Sequence, residues 1–196
     1  MPWLILSIIL WGMIHSWTAS LGFKESLRRS LGGGFMKSYR LLYNLFAVIT
    51  VLPTLYLMAT LPDSPLYRVP APWNYLMLAG RGVSALLLLV AVSQTDVFSF
   101  AGLRQLVEEE KPASLVVNGL YRWVRHPLYT FSLGILWLSP SISLNSFVVY
   151  VGLTLYILAG IYFEERKLLR EFGDAYARYK TVTPMLIPGV KRGGNK

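Results

Sequence analysis

Four titratable residues border the longest stretch of the sequence that carries no formal charge. Arg125 and His126 directly precede this stretch, and Glu164 and Glu165 directly follow it. Such side chains are costly to bury beside apolar residues unless they pair with one another or with a charged ligand. The pattern therefore indicates one of two arrangements: an ion-pair cluster that fixes helices at a membrane surface, or one wall of a binding site.

The uncharged stretch, residues 127–163, decides whether the four side chains meet. It is longer than the ~20 apolar residues that a helix needs to cross a bilayer. The turn-forming sequence SPSISLN at residues 139–145 divides it, which predicts helices at 127–142 and 145–163 joined as a tight hairpin. The open end of that hairpin brings both ends of the stretch, and so all four side chains, together.

The composition is typical of integral membrane proteins. Of 196 residues, 54% are hydrophobic, and the mean hydropathy is +0.47, which is too apolar for an ordinary soluble domain. The net charge of +9 comes from basic residues beside apolar runs, so anionic lipid headgroups are favoured over nucleic acid as partners. Because there is no cysteine, disulfides and thiolate metal sites are excluded, and no other metal site is predicted.

Three further apolar segments complete a predicted all-α fold of about five transmembrane helices in a single membrane domain, residues 1–196. These segments are residues 4–22, 41–61 and 73–95. The first lacks a basic start and a small-residue cleavage site, so we expect a retained span rather than a signal peptide. After the hairpin, apolar residues at helical spacing among charges predict a cytosolic amphipathic helix at residues 164–181.

The basic residues predict the orientation of the chain. Cytosolic loops are enriched in Lys and Arg, and with five spans every Lys and Arg except Arg68 and Arg81 falls on one side of the membrane. The N-terminus is therefore predicted to lie outside, with the C-terminus and the four-residue cluster on the cytosolic side.

The sequence around the hairpin contains an ordered set of motifs. They are G-x-Y-x-x-x-R-H-P-x-Y from Gly119 to Tyr129, the pair Glu164 and Glu165, and F-G-x-x-Y-x-x-Y from Phe172 to Tyr179, followed by Pro184 and Pro188. In this order, residues 115–188 resemble the membrane methyltransferase superfamily that includes isoprenylcysteine carboxyl methyltransferases and phosphatidylethanolamine N-methyltransferases. The resemblance implies a cytosolic S-adenosylmethionine site.

The resemblance also implies roles for particular residues. The amino-acid end of S-adenosylmethionine carries a carboxylate and an ammonium, which suit arginine and glutamate, and its adenine suits an apolar slot with backbone hydrogen bonds. Glu164 and Arg166 are candidates for orienting the acceptor in catalysis, with plain solvent exposure as the alternative. Phe131 stands where many relatives have glycine, which weakens the expectation of close helix packing there. The implied cofactor contacts are Val117, Gly119, Leu120, Tyr121, Arg125, His126, Tyr129 and Glu165.

Polar residues in the N-terminal half are candidates for contacts with the methyl acceptor. His15, Asn44, Gln94 and Asp96 fall toward the predicted cytosolic ends of the first three spans. For each one singly, a helix–helix hydrogen bond or an interfacial position is the alternative. The sequences HSWTAS and YRLLYNLFAVITVLP also resemble NnrU-type membrane proteins and methanethiol S-methyltransferases. That resemblance favours a small or lipophilic thiol acceptor over an isoprenylcysteine carboxylate or a phospholipid amine.

Two other functional classes stay open. Sterol reductases have a similar C-terminal pattern and use it for NADPH, but they are generally larger, and this chain has no extra basic cluster for a 2′-phosphate. A non-catalytic NnrU-like membrane protein is the other alternative, against which the complete R-H-P and E-E pattern argues. The sequence specifies no oligomeric state.

Overall fold

The computed structural model describes residues 1–107 and 114–189 and shows an all-α integral membrane protein. Basic residues that contribute to the predicted orientation at positions 111, 191, 192 and 196 lie outside the described residues. The helices are α1 (Pro2–Ala19), α2 (Leu21–Thr60), α3 (Trp73–Ser93), α4 (Val97–Ala101), α5 (Arg104–Val107), α6 (Pro127–Trp137) and α7 (Leu144–Val182), with a 3-10 turn at Gly119–Arg122 and strands β1 (Pro65–Arg68) and β2 (Ser141–Ser143).

Four of the described helices, α1, α2, α3 and α7, are long and apolar enough to cross a membrane. Five spans were predicted. The difference lies in α6, which has 11 residues against the ~20 that a crossing requires, so a fifth crossing stays a prediction. Helix α2 also begins about five turns before the predicted start of its span, because the charged segment ahead of the apolar run is itself helical.

The turn predicted at residues 139–145 is confirmed. Helix α6 ends at Trp137, and α7 begins at Leu144. Between them β2 pairs with β1 in a two-stranded sheet that the sequence did not predict. Three residues are too few for an alternating pattern to be recognised in a sequence.

The described residues form two compact units. The first lies within Met1–Leu66, Asp96–Pro112 and Ser143–Leu153, and the second within Tyr67–Thr95, Ala113–Ile142 and Thr154–Lys196. In the first unit α1 packs on α2, and the fully buried Asn145 donates its side-chain amide to the carbonyl of Leu61 at 3.0 Å. This bond satisfies a carbonyl that the end of α2 leaves without a helical partner.

In the second unit α3 packs closely on α6 through small residues. A Cβ added at Gly134 would lie 2.5 Å from the Ser84 hydroxyl, and one at Gly80 would lie 3.1 Å from Leu138. Small residues of this kind let helix backbones approach in a bilayer. Phe131 weakened the expectation of close helix packing at its own position. The close approach of α6 to α3 occurs one turn further along α6, at Gly134.

Helix α7 contains a sharp change of direction at Gly173. Glu165 and Lys180 are fifteen residues apart, which in a straight helix corresponds to about 22 Å. Their side chains nevertheless lie 2.6 Å apart, measured from Nζ to Oε2. The backbone of Gly173 has φ 51° and ψ −126°, outside the helical region. Residues 174–182 therefore turn back toward Glu165, and the helix predicted at 164–181 consists of two segments.

Substitution of Gly173 tests this fold-back. Side chains larger than hydrogen strain its backbone conformation by about 1–3 kcal/mol, so Gly173→Ala is expected to lower the free energy of unfolding by about that amount. Gly160→Ala is the matched control, because Gly160 lies in the same helix with nothing within 4 Å of its added Cβ, and it is expected to be neutral or slightly stabilising. Thermal unfolding in detergent measures both; equal midpoints would contradict the proposed role of Gly173.

Candidate cofactor site

The Arg125–His126 pair is held in place by the segment that follows α7. The backbone N–H of Arg125 donates to the Pro184 carbonyl at 2.9 Å, and that of His126 donates to the Met185 carbonyl at 3.2 Å. The Thr130 hydroxyl adds a bond to the Leu186 carbonyl at 2.8 Å. Residues 183–186, which we call the C-terminal strap, therefore fix the entry into α6.

Arg125 and Glu165 form a buried ion pair at the centre of the site. The Arg125 Nε and Nη2 atoms donate to Glu165 Oε1 at 2.8 and 2.5 Å, and both residues are less than a tenth exposed. The Nη1 atom donates to the carbonyls of Lys180 and Thr183 at 3.2 and 2.5 Å. Because a buried guanidinium is stable only when its donors are satisfied, these four bonds indicate a permanent structural pair.

Lys180 contributes a second cation to the same carboxylate. Its Nζ lies 2.6 Å from Glu165 Oε2, and a third of its side chain remains exposed. An ammonium has three donors, so Lys180 can bind a further acceptor while it stays paired. It forms the solvent-facing edge of the cluster.

His126 lies between the two glutamates. Its Nε2 is 3.4 Å from Glu165 Oε1, and its Nδ1 is 3.8 Å from Glu164 Oε2. The ring is buried and lies 5.7 Å from the Tyr129 ring. Nε2 thus faces the Glu165 carboxylate at a distance slightly longer than an ordinary N–H···O bond, and the ring is held between the two glutamates.

Glu164 is surrounded differently from Glu165. Its side chain is 43% exposed, lies 3.8 Å from His126 Nδ1 and accepts a hydrogen bond from the Tyr129 hydroxyl. Burial, followed by the negative charge of Glu164, raises the pKa of Tyr121 to about 12, so the Tyr121 hydroxyl keeps its proton at neutral pH. The Tyr121 carbonyl accepts a bond of 2.5 Å from the Tyr179 hydroxyl.

The loop that carries Val117, Gly119 and Leu120 is held by a residue of α3. The side-chain Oε1 of Gln94 accepts the N–H of Leu120 at 2.8 Å. Gly119 has φ +57°, and a Cβ there would overlap the Gln94 amide. The sequence singled out Gln94 only as a polar lining residue. The bond of Gln94 to Leu120 depends on how α3 packs, which no local sequence pattern shows. This bond occupies the Leu120 N–H, a backbone donor that was expected to be free for the nucleoside.

Arg166 lies apart from the other predicted site residues. Its guanidinium lies over the Tyr162 ring at 4.7 Å, and the side chain is exposed. Consecutive helical positions point in different directions, which explains why Glu164 and Glu165 approach the cluster and Arg166 does not.

Of the four candidate acceptor contacts, His15, Asn44 and Asp96 lie in the first unit and Gln94 in the second, and each has a structural bond. His15 Nε2 lies 2.7 Å from the Tyr43 hydroxyl, and Asn44 donates to the Ala101 carbonyl at 3.0 Å. Asp96 caps α4 through the Ser99 N–H at 3.0 Å. The bonds of His15 and Asn44 are helix–helix bonds, which the sequence left open as the alternative, whereas the capping bond of Asp96 was not expected. The role of the three residues toward an acceptor stays a prediction.

Comparison with known proteins identifies the family. The model of the family described as NnrU protein matches residues 3–190. The chain belongs to the NnrU family. Among its relatives, the methanethiol S-methyltransferase of Mycobacterium tuberculosis is 30% identical over 96% of this chain and 79% of the relative.

Other relatives carry the same name but are matched over a smaller part of their length. The methanethiol S-methyltransferase of Pseudomonas deceptionensis is 33% identical over 54% of this NnrU-family chain and 42% of its own. That of Crocosphaera subtropica is 33% identical over 60% of this chain and 51% of its own. The chain thus spans about half the length of these two relatives. No solved structure matches.

Removing Arg125 is expected to destabilise the protein strongly. Arg125→Ala leaves the buried Glu165 with one of its two cations, and breaking a buried pair typically costs about 3–5 kcal/mol. Arg122→Ala removes an exposed arginine from the same loop and is expected to change the free energy of unfolding by less than about 0.5 kcal/mol. Denaturant unfolding in micelles measures the difference, and equal values for the two variants would show that the pair contributes nothing.

Loss of the Gln94 acceptor is expected to loosen the loop at residues 117–121. Gln94→Leu leaves the Leu120 N–H without its acceptor, and a hydrogen bond of this kind contributes about 1 kcal/mol. Hydrogen exchange at this amide is therefore expected to rise about fivefold. Ser93→Ala, which changes the neighbouring exposed residue of α3, is the control. Exchange is followed by mass spectrometry of peptides that cover the loop; unchanged protection in Gln94→Leu would rule out the bond as a restraint.

Proposed function

We propose that the protein is an integral membrane methyltransferase that uses S-adenosylmethionine and acts on a small or lipophilic acceptor at the cytosolic face. The observation that carries this proposal is the cluster of Arg125, His126, Glu165 and Lys180, of which the first three belong to the motifs that resemble membrane methyltransferases. The names of the relatives support the same class of reaction.

The residues present fit the amino-acid end of S-adenosylmethionine. Lys180 has donors left for a carboxylate, and Glu164 offers a carboxylate to an ammonium. His126, buried between the two glutamates, is the third proposed contact. Arg125 and Glu165 satisfy each other, so in this proposal they hold the frame of the site, and the other three residues contact the ligand. Val117, Gly119, Leu120, Tyr121 and Tyr129 line the nucleoside.

S-adenosylmethionine supplies an electrophilic methyl group on a sulfonium sulfur. The residues of this chain therefore need to hold donor and acceptor in line and to exclude water, and no covalent enzyme intermediate is required. The Tyr121 and Tyr129 rings and the negative charge of Glu164 suit a positively charged ligand, because aromatic faces attract cations. Arg166, exposed on a neighbouring face of α7, remains a candidate for orienting the acceptor.

The acceptor that we favour is a small thiol. Methanethiol is the acceptor named for the relatives, and the N-terminal sequence resembles theirs. His15, Asn44 and Asp96 are proposed as polar contacts of this acceptor in addition to their structural bonds. A phospholipid amine and an isoprenylcysteine carboxylate are the competing acceptors.

Ligand titration tests the cofactor. The purified protein in detergent is expected to bind S-adenosylhomocysteine saturably in calorimetry, and His126→Ala and Glu164→Gln are expected to weaken binding at least tenfold, the effect of about 1.4 kcal/mol. Arg170→Gln, an exposed change further along α7, serves as the control and is expected to bind normally. Thermal unfolding verifies that each variant is folded.

The alternatives give different results in the same experiment. If the protein binds NADPH but not S-adenosylhomocysteine, it is a reductase and the proposal is wrong. If it binds neither ligand, a non-catalytic membrane protein is favoured. Incubation with a methyl-labelled donor and methanethiol, phosphatidylethanolamine or a prenylcysteine then identifies the acceptor from the volatile, lipid or carboxyl methyl ester fraction that gains label.

A further inference from the structure

The first part of α2 differs in character from the rest of the helix. Gly32 has φ 79° and ψ 171°, so the helix is interrupted there. A Cβ added at Gly32, Gly33 or Gly34 would meet nothing within 4 Å, and close packing therefore does not account for this run of glycines. The glycines instead let the backbone leave the helical conformation. The resulting break separates residues 21–31 from the apolar span that follows.

Residues 21–31 form an amphipathic helical segment. Phe23, Leu27 and Leu31 recur at intervals of four and form one apolar stripe, and Lys24 and Arg28 run along its edge. Phe23 packs against Trp17 with ring centroids 4.5 Å apart. The stripe is thus fixed to α1 at one end, and Leu31 at the other end is more than half exposed.

Exposed basic residues lie both in this segment and in the part of α2 that follows the glycine run. Arg28, Arg29, Lys37 and Arg40 are exposed, and Glu25 is the one acidic residue between positions 21 and 40. Glu25 lies 3.3 Å from Arg29, but both side chains are at least half exposed. Solvent screens such a pair, so it does little to neutralise the arginine.

We propose that residues 21–31 are an interfacial helix that binds anionic phospholipid headgroups, with Arg28 and Arg29 contacting lipid phosphates. The position of the segment favours lipid over a soluble partner. Both of its ends continue into helices that are long and apolar enough to span a membrane, α1 and the apolar part of α2, so the segment begins and ends next to the membrane surface. A helix with an apolar stripe and a basic edge binds such a surface by inserting the stripe and pairing the cations.

The proposal does not depend on methyl transfer. It assigns to this segment the task of fixing the α1–α2 pair at the level of the headgroups, and the glycine run provides the change of direction. Binding should fall as ionic strength rises, because salt screens exposed charges over distances of about 10 Å at 0.1 M.

Native mass spectrometry of the full chain tests the proposal. Protein released from nanodiscs of phosphatidylcholine and phosphatidylglycerol is expected to retain phosphatidylglycerol. Each basic residue near an anionic surface contributes about fivefold in affinity, so Arg28→Gln/Arg29→Gln is expected to reduce retention about 25-fold. The matched control is Arg170→Gln/Arg178→Gln, which removes the same charge from exposed positions of α7. Equal losses in both variants would overturn the proposal, since net charge would then explain the binding.

A second measurement locates the segment itself. Because the chain has no cysteine, Ser30→Cys and Leu31→Cys each accept one nitroxide label. In phosphatidylglycerol nanodiscs, the label at position 31 is expected to be accessible to oxygen in the bilayer, and the label at position 30 to a water-soluble nickel chelate. Equal aqueous accessibility at both positions would overturn the interfacial placement. Competition by inorganic phosphate alone would assign the arginines to a soluble anion instead of a lipid.

Discussion

The burial of one charge pair constrains most of the second unit. Arg125 and Glu165 are both shielded from solvent, and removing two such charges from water costs several kcal/mol for each ion unless every donor and acceptor finds a partner. The surrounding chain provides those partners through two backbone carbonyls and the Lys180 ammonium. The turn at Gly173 and the C-terminal strap are the backbone features that bring these groups to the pair.

The pair also separates two tasks within one cluster. Glu165 is paired with two cations, whereas its neighbour Glu164 is partly exposed and contacts His126 at 3.8 Å and the Tyr129 hydroxyl. Adjacent residues of one helix therefore differ in their availability to a ligand. In the proposed enzyme Glu165 holds the site rigid and Glu164 binds the ligand. Preorganised sites are usually built in this way.

The sequence was sufficient for the features that depend on composition and local pattern. Long uncharged runs predicted the membrane helices, and the SPSISLN segment predicted the division that places Arg125 beside Glu165. The turn at Gly173 was not predictable, since a glycine within a helical pattern is usually tolerated without a bend. The Gln94 bond to Leu120 joins residues 26 positions apart, and such a contact follows from helix packing. For His15, Asn44 and Asp96 the sequence allowed either a contact with the acceptor or a structural role. The structure shows structural bonds for all three, and their contact with an acceptor stays a prediction.

The C-terminal strap has a consequence for biosynthesis. Arg125 precedes Glu165 by 40 residues and Thr183 by 58, and at about 5–20 residues per second these groups leave the ribosome up to roughly ten seconds later. During that interval the guanidinium has none of its final acceptors. It must stay hydrated while α6 and α7 are synthesised. The order of synthesis thus makes the closing of the strap a late event, after both of the helices that it joins have been made.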